Sequence, residues 1–386
     1  KRPQHRQFAR AAMAKPIESG LMELKSRQRG ARMNELMRRL ELRWPIFQAP
    51  MAGVSTPELA AAVSNAGGLG ALGLGAATVD GARQQVAAAR ALTLGPLHLN
   101  FFCHPPATRD TAVERAWIER FEEDFQSLGA PAPAALQEVY PSFIASGDSL
   151  ALIEATRPEA VSFHFGLPEA DAVRTIRALE CLTLVTVTSV AEAHAAVNAG
   201  VDGLIAQGIE AGGHRGNFDV AGEDKEMTTA ELVPALLAST ELPIVAAGGI
   251  MDGTDLRGML DLGAAAVQLG TAFVLCPEAA TNADYRSRLR AADAEDTLLT
   301  AAISGRRARG IRNRLVEVSE NYPELAVPAY PVAYDLAKQL NSAALAKGAT
   351  GYGAYWAGTG VARARERPAA AIVAALAEEA GLKESA

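Results

Sequence analysis

Eight short β-rich apolar runs, each followed by an Ala-rich stretch with helical spacing, recur along this 386-residue chain. That alternation is the signature of βα units in a parallel sheet. The runs are Pro45 to Ala49, Leu69 to Gly73, Leu97 to Phe101, Ala160 to Phe163, Leu182 to Val187, Gly203 to Ala206, Pro243 to Ala247 and Ala265 to Leu269. Eight of them argue for a closed α/β (β/α)8 TIM barrel, a fold of about 250 residues that often carries insertions. Helix starts fit the same frame. Thr56-Pro57-Glu58 supplies an N-cap and a proline at the first helical position, and Ser189 with Glu192 reads as a capping box.

Two stretches do not fit the repeat. Between the third and fourth runs lies a long segment with a charged helix around Thr111 to Leu128, a Pro/Ala-rich stretch at Gly129 to Ala135, and Tyr140-Pro141-Ser142. This predicts an insertion after the third strand. After the eighth run the chain continues for more than 100 residues, and the spacing of prolines and aromatics from Asn321 to Trp356 is not that of another βα unit. It reads as a C-terminal helical lid. Six of the seven tyrosines fall there, at 285, 322, 330, 334, 352 and 355, offering apolar faces and hydroxyl groups to a small ligand.

The expected organisation is therefore a leader over 1–32, a barrel over 33–280, and a lid with closing helices over 281–386. Residues 1–32 carry nine Lys and Arg against Glu18 and Glu23, whereas the whole chain has a formal charge of −7. Met33 opens MNELMRRLELRWPIF and reads as a true start, so the leader is expected to add little to the fold. No run approaches the roughly 20 apolar residues of a membrane span. Cys103, Cys181 and Cys276 are far apart and form no even-numbered framework, which suits a reducing, cytoplasmic setting. Nothing marks a nucleic-acid or membrane partner, and a monomer or homodimer acting on a small molecule is expected.

A barrel carries its active site at the C-terminal ends of its strands. The seventh run ends in Ala246-Ala247-Gly248-Gly249-Ile250, and the eighth continues as Val267-Gln268-Leu269-Gly270-Thr271. Glycines there let backbone N–H groups approach an anion, and a following helix N-terminus adds partial positive charge. The pair predicts a phosphate cradle without naming the ligand. After the sixth run comes a glycine-rich loop, Gln207 to Gly216, presenting His214 and Arg215 as exposed side chains. A run that flexible adds little stability, so His214 is the candidate catalytic residue. His164 and Asn100 end the fourth and third strands on the same face, and His164 is a candidate ligand contact. His98, His104 and His194 read as structural. No grouping has metal-ligand spacing, and no GxSxG or Ser/His/Asp pattern appears.

Taken together, Pro45 to Gly53 (PIFQAPMAG), Ala206 to Gly216 (AQGIEAGGHRG), Ala246 to Ile250 (AAGGI) and Val267 to Phe273 (VQLGTAF) resemble the class I nitronate monooxygenases, formerly called 2-nitropropane dioxygenases. The resemblance runs from about Met33 to the C-terminus. It implies FMN in the barrel mouth, and oxidation of alkyl nitronates such as propionate 3-nitronate by O2 to nitrite and a carbonyl compound. It also implies FMN contacts from Asn100, Gln207, Gly212, Gly249, Gln268, Leu269, Gly270 and Thr271. His214 takes the place of the family's catalytic histidine, and Tyr140, Tyr285, Tyr330, Tyr334 and Lys338 resemble its substrate pocket. The last three stand at i, i+4 and i+8, and on one helix they would form a single stripe. Two other readings keep the fold: an NAD(P)H-dependent FMN reductase of the enoyl-acyl-carrier-protein or quinone reductase type, and a barrel that binds a phosphate ligand without redox work.

Overall fold

The computed structural model describes residues 35–383; the leader expected at 1–32, with Met33, lies outside the described residues. Its strands, in chain order, are β1 (Ile46–Gln48), β2 (Gly70–Gly73), β3 (Leu97–Phe102), β4 (Ala160–His164), β5 (Leu182–Val187), β6 (Gly203–Gln207), β7 (Gly213–His214), β8 (Ile244–Ala247), β9 (Ala266–Leu269), β10 (Thr297–Thr300) and β11 (Ala308–Ile311). Eight of these form one parallel sheet in the order β1-β9-β8-β6-β5-β4-β3-β2. A parallel bridge from Phe47 to Leu69 joins β1 to β2 and closes the circle. All eight sequence-derived strands are present, each within one residue of its expected bounds.

The two-residue period of the strands sorts the barrel into layers. Leu97, Leu99, Phe101, Val185, Val187, Leu204 and Ile244 face outward into the helix layer. Phe47, Leu184, Ile205 and Val245 belong to the inner core. Above these apolar residues, Asn100, Ser162, Thr186, Gln207 and Gln268 line the cavity at the strand ends. The barrel thus has an apolar plug beneath a polar floor.

The insertion and the lid are one layer over the mouth. The charged stretch forms two helices, Thr111–Arg120 and Glu122–Ser127, broken at Phe121. Their Trp117, Phe121 and Phe125 share a core with Leu315, Val316, Leu336 and Leu340 of the C-terminal helices. Arg314 binds Asp124 at 2.8 Å, and the Gln137 N–H donates to Asp335 at 2.8 Å. The last helix, Ala369–Glu379, leaves this layer and packs against helices Pro57–Asn65 and Gly253–Leu262, completing the ring around the barrel. Among the described residues no helix is long and apolar enough to cross a membrane.

The lid is not wholly helical, which corrects the sequence expectation. β10 and β11 form a hairpin whose connection turns at Gly305, where φ is +86° and a Cβ would lie 2.3 Å from the Pro328 carbonyl oxygen. β11 then pairs with β7, Ala308 opposite His214. The glycine-rich loop is therefore the edge of a three-stranded sheet.

His98 exposes a liability inside this barrel. It is fully buried on β3, neither ring nitrogen has a partner, and burial pushes its pKa down to about 3. The unfolded chain binds a proton near pH 6.5 that the fold refuses until about pH 3, so stability rises with pH across that window and is lost on acidification. Each such histidine contributes a slope of about 1.4 kcal/mol per pH unit. Replacing His98 with leucine removes both the orphan polar atoms and one proton of linkage. The His98→Leu protein should match or exceed the parent in Tm at pH 7 and lose less Tm between pH 7 and 5. Parallel melting curves for the two proteins would locate the acid sensitivity elsewhere.

Candidate active site

The cavity opens at the C-terminal ends of the strands, and its wall begins with the two glycine-bearing turns. Gly248 and Gly249 have φ of +122° and +73°, left-handed conformations that favour glycine, and they swing the backbone away from β8. The N–H groups of Gly249, Gly270 and Thr271 meet no protein acceptor among the described residues. The Thr271–Phe273 turn likewise has no side-chain cap. The helix after β8 is different from expectation. Its N-terminal N–H groups are taken by carboxylates, Thr254 and Asp255 donating to Asp252 at 3.0 and 3.1 Å and Gly253 to Glu379 at 2.9 Å. The donors open to a phosphate are therefore those of the Gly248-Gly249 and Gly270-Thr271 turns. Beside them, Gln268 has a buried Oε1 without a partner, an acceptor that a ligand donor would satisfy. Free N–H groups for a phosphate and an orphan amide oxygen deeper in suit a phosphate-bearing, hydrogen-bonding cofactor such as FMN.

Gln207 is committed differently. Its Nε2 donates to the His214 carbonyl at 2.9 Å and its Oε1 accepts from the Gly216 N–H at 2.8 Å, so the amide pins the glycine-rich loop across the barrel mouth. Arg215 corrects the sequence reading, which had it exposed. It is buried, bound to Asp224 at 2.8 and 3.0 Å, with Nη1 donating to the Gln207 and Gly208 carbonyls. Gly212 is required by packing, since a Cβ there would lie 2.5 Å from the Gly358 nitrogen, and it also lines the cavity.

These constraints deliver His214 to the cavity wall with a defined hydrogen-bond pattern. Its Nε2 lies 2.8 Å from Ser304 Oγ. The Ser304 hydroxyl also reaches the Arg306 carbonyl at 3.1 Å; with its hydrogen on that carbonyl, its oxygen accepts and His214 Nε2 carries the proton. Nδ1 then holds the lone pair; the ring's one hydrogen bond among the described residues is that to Ser304, and His214 lines the cavity. Burial, with smaller contributions from His164 and the Arg306 charge, lowers the His214 pKa to about 3, so the ring is neutral at pH 7. Burial, with the Arg306 and Arg215 charges, lowers His164 to about 3 as well, and its Nε2–H donates to the His214 carbonyl at 3.2 Å.

The lid supplies the roof. Tyr285 donates to the Trp356 carbonyl at 2.6 Å, and Trp356 Nε1 donates to Tyr334 Oη at 3.2 Å. The Tyr334 ring lies 5.4 Å from that of Tyr140. Asn100, His164, Gln207, Gly212, His214, Gly249, Gln268, Leu269, Gly270, Thr271, Tyr140, Tyr285 and Tyr334 all line the cavity, and Tyr330 and Lys338 do not. Tyr330 sits behind His214, ring centroids 5.4 Å apart, and the Lys338 ammonium lies 4.9 Å over the Tyr140 ring. The single helical stripe is corrected here. The helix begins at Val332 because Pro331, lacking an N–H, cannot sit inside it, so Tyr330 arrives from the preceding turn. Trp356, 5.0 Å from the His214 ring, and the Ser304–Arg306 turn were missed by sequence reasoning. The Trp356 signal was present in the aromatic-rich tail; Ser304 and Arg306 lay in a Gly/Arg turn with no motif attached.

Comparison with known proteins follows this geometry. The family model described as nitronate monooxygenase matches residues 34–379. A nitronate monooxygenase of Paraburkholderia phytofirmans is 50% identical over 342 residues, 88% of this chain and 93% of that protein. Among solved structures, a nitroalkane oxidase from Streptomyces ansochromogenes superposes with a TM-score of 0.82 at 36% identity, over 90% of this chain and 97% of its own. FabK from Thermotoga maritima gives 0.68 at 27% identity, over 90% and 96%.

Proposed function

The chain belongs to the nitronate monooxygenase family of flavin-dependent oxidoreductases, and from that premise we propose that it oxidises alkyl nitronates, such as propionate 3-nitronate, with O2 and FMN, releasing nitrite and a carbonyl compound. The observation that carries the choice of substrate is the state of His214. A neutral imidazole with a pKa near 3, enclosed by Trp356, Tyr334, Tyr330 and Phe165, is a weak base in the resting site. A nitronate arrives already deprotonated and asks for no strong base, whereas a neutral nitroalkane must first lose a carbon-bound proton.

In this reading FMN would be held at its phosphate by the N–H groups of Gly249, Gly270 and Thr271, with Leu269, Gln268, Asn100, Gln207 and Gly212 around the remainder. Bound FMN supplies the group that accepts electrons from the substrate and passes them to O2. The protein does the rest. Tyr140, Tyr285 and Tyr334 exclude water and orient the nitronate, His164 braces the His214 backbone, and Tyr330 closes the space behind the imidazole. When a neutral nitroalkane enters, His214 Nδ1 accepts the proton from the carbon next to the nitro group while Nε2–H stays on Ser304. Lys338, outside the cavity wall, acts on a carboxylate-bearing tail only at long range.

The test uses the purified flavin-loaded protein. Ethylnitronate or propionate 3-nitronate should yield nitrite in step with O2 consumption, with no nicotinamide added. Rapid bleaching of the flavin by NADH under argon, without nitronate turnover, would favour the reductase alternative. A colourless protein that takes up no FMN would favour a non-redox barrel.

A further inference from the structure

Arg306 is among the largest fully buried side chains described, 2% exposed, and among the described residues no carboxylate lies within ion-pairing distance of it. Arg215, equally buried one strand away, has Asp224 at 2.8 Å; Arg306 has only carbonyl oxygens, those of Arg215 at 3.3 Å and of Asn217, and the face of Phe165 at 4.1 Å. Glu192, whose charge is felt at Arg306, has its two oxygens on the Phe218 N–H and on Thr188. Burial lowers the guanidinium to about 10, which leaves it charged at neutral pH. A cation kept in the interior without a counter-ion costs far more than a paired one.

Its position explains why it is kept. Phe165, a bulky residue in the left-handed region at φ +77°, is strained so that its ring stands between Arg306 and the cavity. That ring lies 5.7 Å from His214, 4.5 Å from His164 and 5.2 Å from Tyr330. One aromatic ring of low polarity separates the charge from the ligand space, and across it a Coulomb interaction is weakly screened.

We propose that Arg306 is the fixed counter-charge of the pocket, a positioning residue that draws small planar oxyanions such as nitronate, nitrite and nitrate to the His214 cavity and favours them over neutral nitro compounds without touching them. The incoming anion brings, across the Phe165 ring, the counter-charge that the fold leaves out. This rests on the nitronate reading for its biological substrate, but the selectivity for anions stands by itself.

A purely structural Arg306, tying the Ser304–Arg306 turn to the Arg215–Asn217 backbone, would behave otherwise. Calorimetric titration of flavin-loaded parent, Arg306→Lys and Arg306→Gln proteins with nitrate and with nitroethane separates the two. In Arg306→Gln, nitrate affinity should fall about tenfold or more while nitroethane affinity stays within about twofold; Arg306→Lys should keep most of the nitrate affinity at pH 7. The His214 imidazole, faced by His164, Ser304, Tyr330, Tyr334, Trp356 and Arg306, should titrate higher in Arg306→Gln, read by nitrogen NMR of labelled histidine. Equal losses for nitrate and nitroethane, or equal nitrate losses in the Lys and Gln variants, overturn the proposal. Should Arg306→Gln fail to fold, the lysine variant decides alone. A buried unpaired lysine loses its proton more readily than arginine, so nitrate affinity in Arg306→Lys should decline from pH 7 to 9 while the parent stays level. A level profile in the lysine variant overturns the idea. Failure to turn over nitronates, with nitrate selectivity intact, would instead count against the proposed function.

Discussion

Replacing His214 with asparagine is expected to lower nitroethane oxidation by about 10²- to 10⁴-fold while leaving ethylnitronate oxidation within about tenfold of the parent. The asymmetry follows from the hydrogen-bond pattern. With the Nε2 proton given to Ser304, and the Ser304 hydrogen given to the Arg306 carbonyl, the nitrogen that faces the cavity is an acceptor. It takes a proton from a neutral nitroalkane, and it has none to donate to a nitronate oxygen. Protonation of the ring is opposed by burial and by the Arg306 charge, so proton abstraction is the hard step for nitroalkanes and is absent for nitronates. Steady-state kcat/KM on both substrates, with flavin content measured, checks the expectation. Losses of similar size on both would mean that the imidazole turns over and donates to the anion. Unchanged kinetics on both would remove His214 from the chemistry and make His164 the next residue to replace.

The barrel was legible because its signal is local and repeated. Each strand is a short apolar run, each helix a periodic one, and eight copies leave little choice of closure. The two glycine turns of the cavity wall were legible for a related reason, since glycines at consecutive strand ends mark backbone approach whatever the ligand. What stayed hidden depends on contacts distant in sequence. The β7 strand is two residues long and exists only because Ala308 and Arg309 pair with it, and no period marks so short a strand. Ser304 reaches His214, and Arg306 the next residue's carbonyl, across some ninety residues, through a hairpin read as helix. The Tyr330/Tyr334/Lys338 spacing was regular, but Pro331, directly after Tyr330, was the stronger signal and moved Tyr330 off the helix. Arg215, read as exposed on its flexible loop, was fixed by Asp224, a residue that its own motif does not contain.

Gly270→Val is expected to abolish retention of FMN while the barrel folds normally, and the surroundings of this glycine make it the cleanest test of the cradle. Several other glycines near the site are held by the protein itself. A Cβ at Gly212 would meet the Gly358 nitrogen at 2.5 Å, and one at Gly248 would meet Thr229 Oγ1 at 2.8 Å in a left-handed backbone, so substitution at either disturbs the fold whatever binds there. Gly270 has φ of −106°, and a Cβ there would find only Ala49 Cβ at 3.6 Å and Met51 Sδ at 3.7 Å, ordinary contacts with two residues of the cavity wall. The protein tolerates the atom, and the residues around it belong to the cavity wall. A β-branched side chain at that point stands over the free N–H groups of Gly270 and Thr271, each worth about 1.5 to 3 kcal/mol to a charged phosphate oxygen. Losing both lowers FMN affinity by about 100-fold or more. The variant should show parental circular dichroism and leave dialysis colourless, with Gly270→Ala, which adds one methyl group, partly depleted. A Gly270→Val protein that stays fully yellow after dialysis would place the phosphate away from the turn after β9 and leave the Gly248-Gly249 turn without its partner in the cradle.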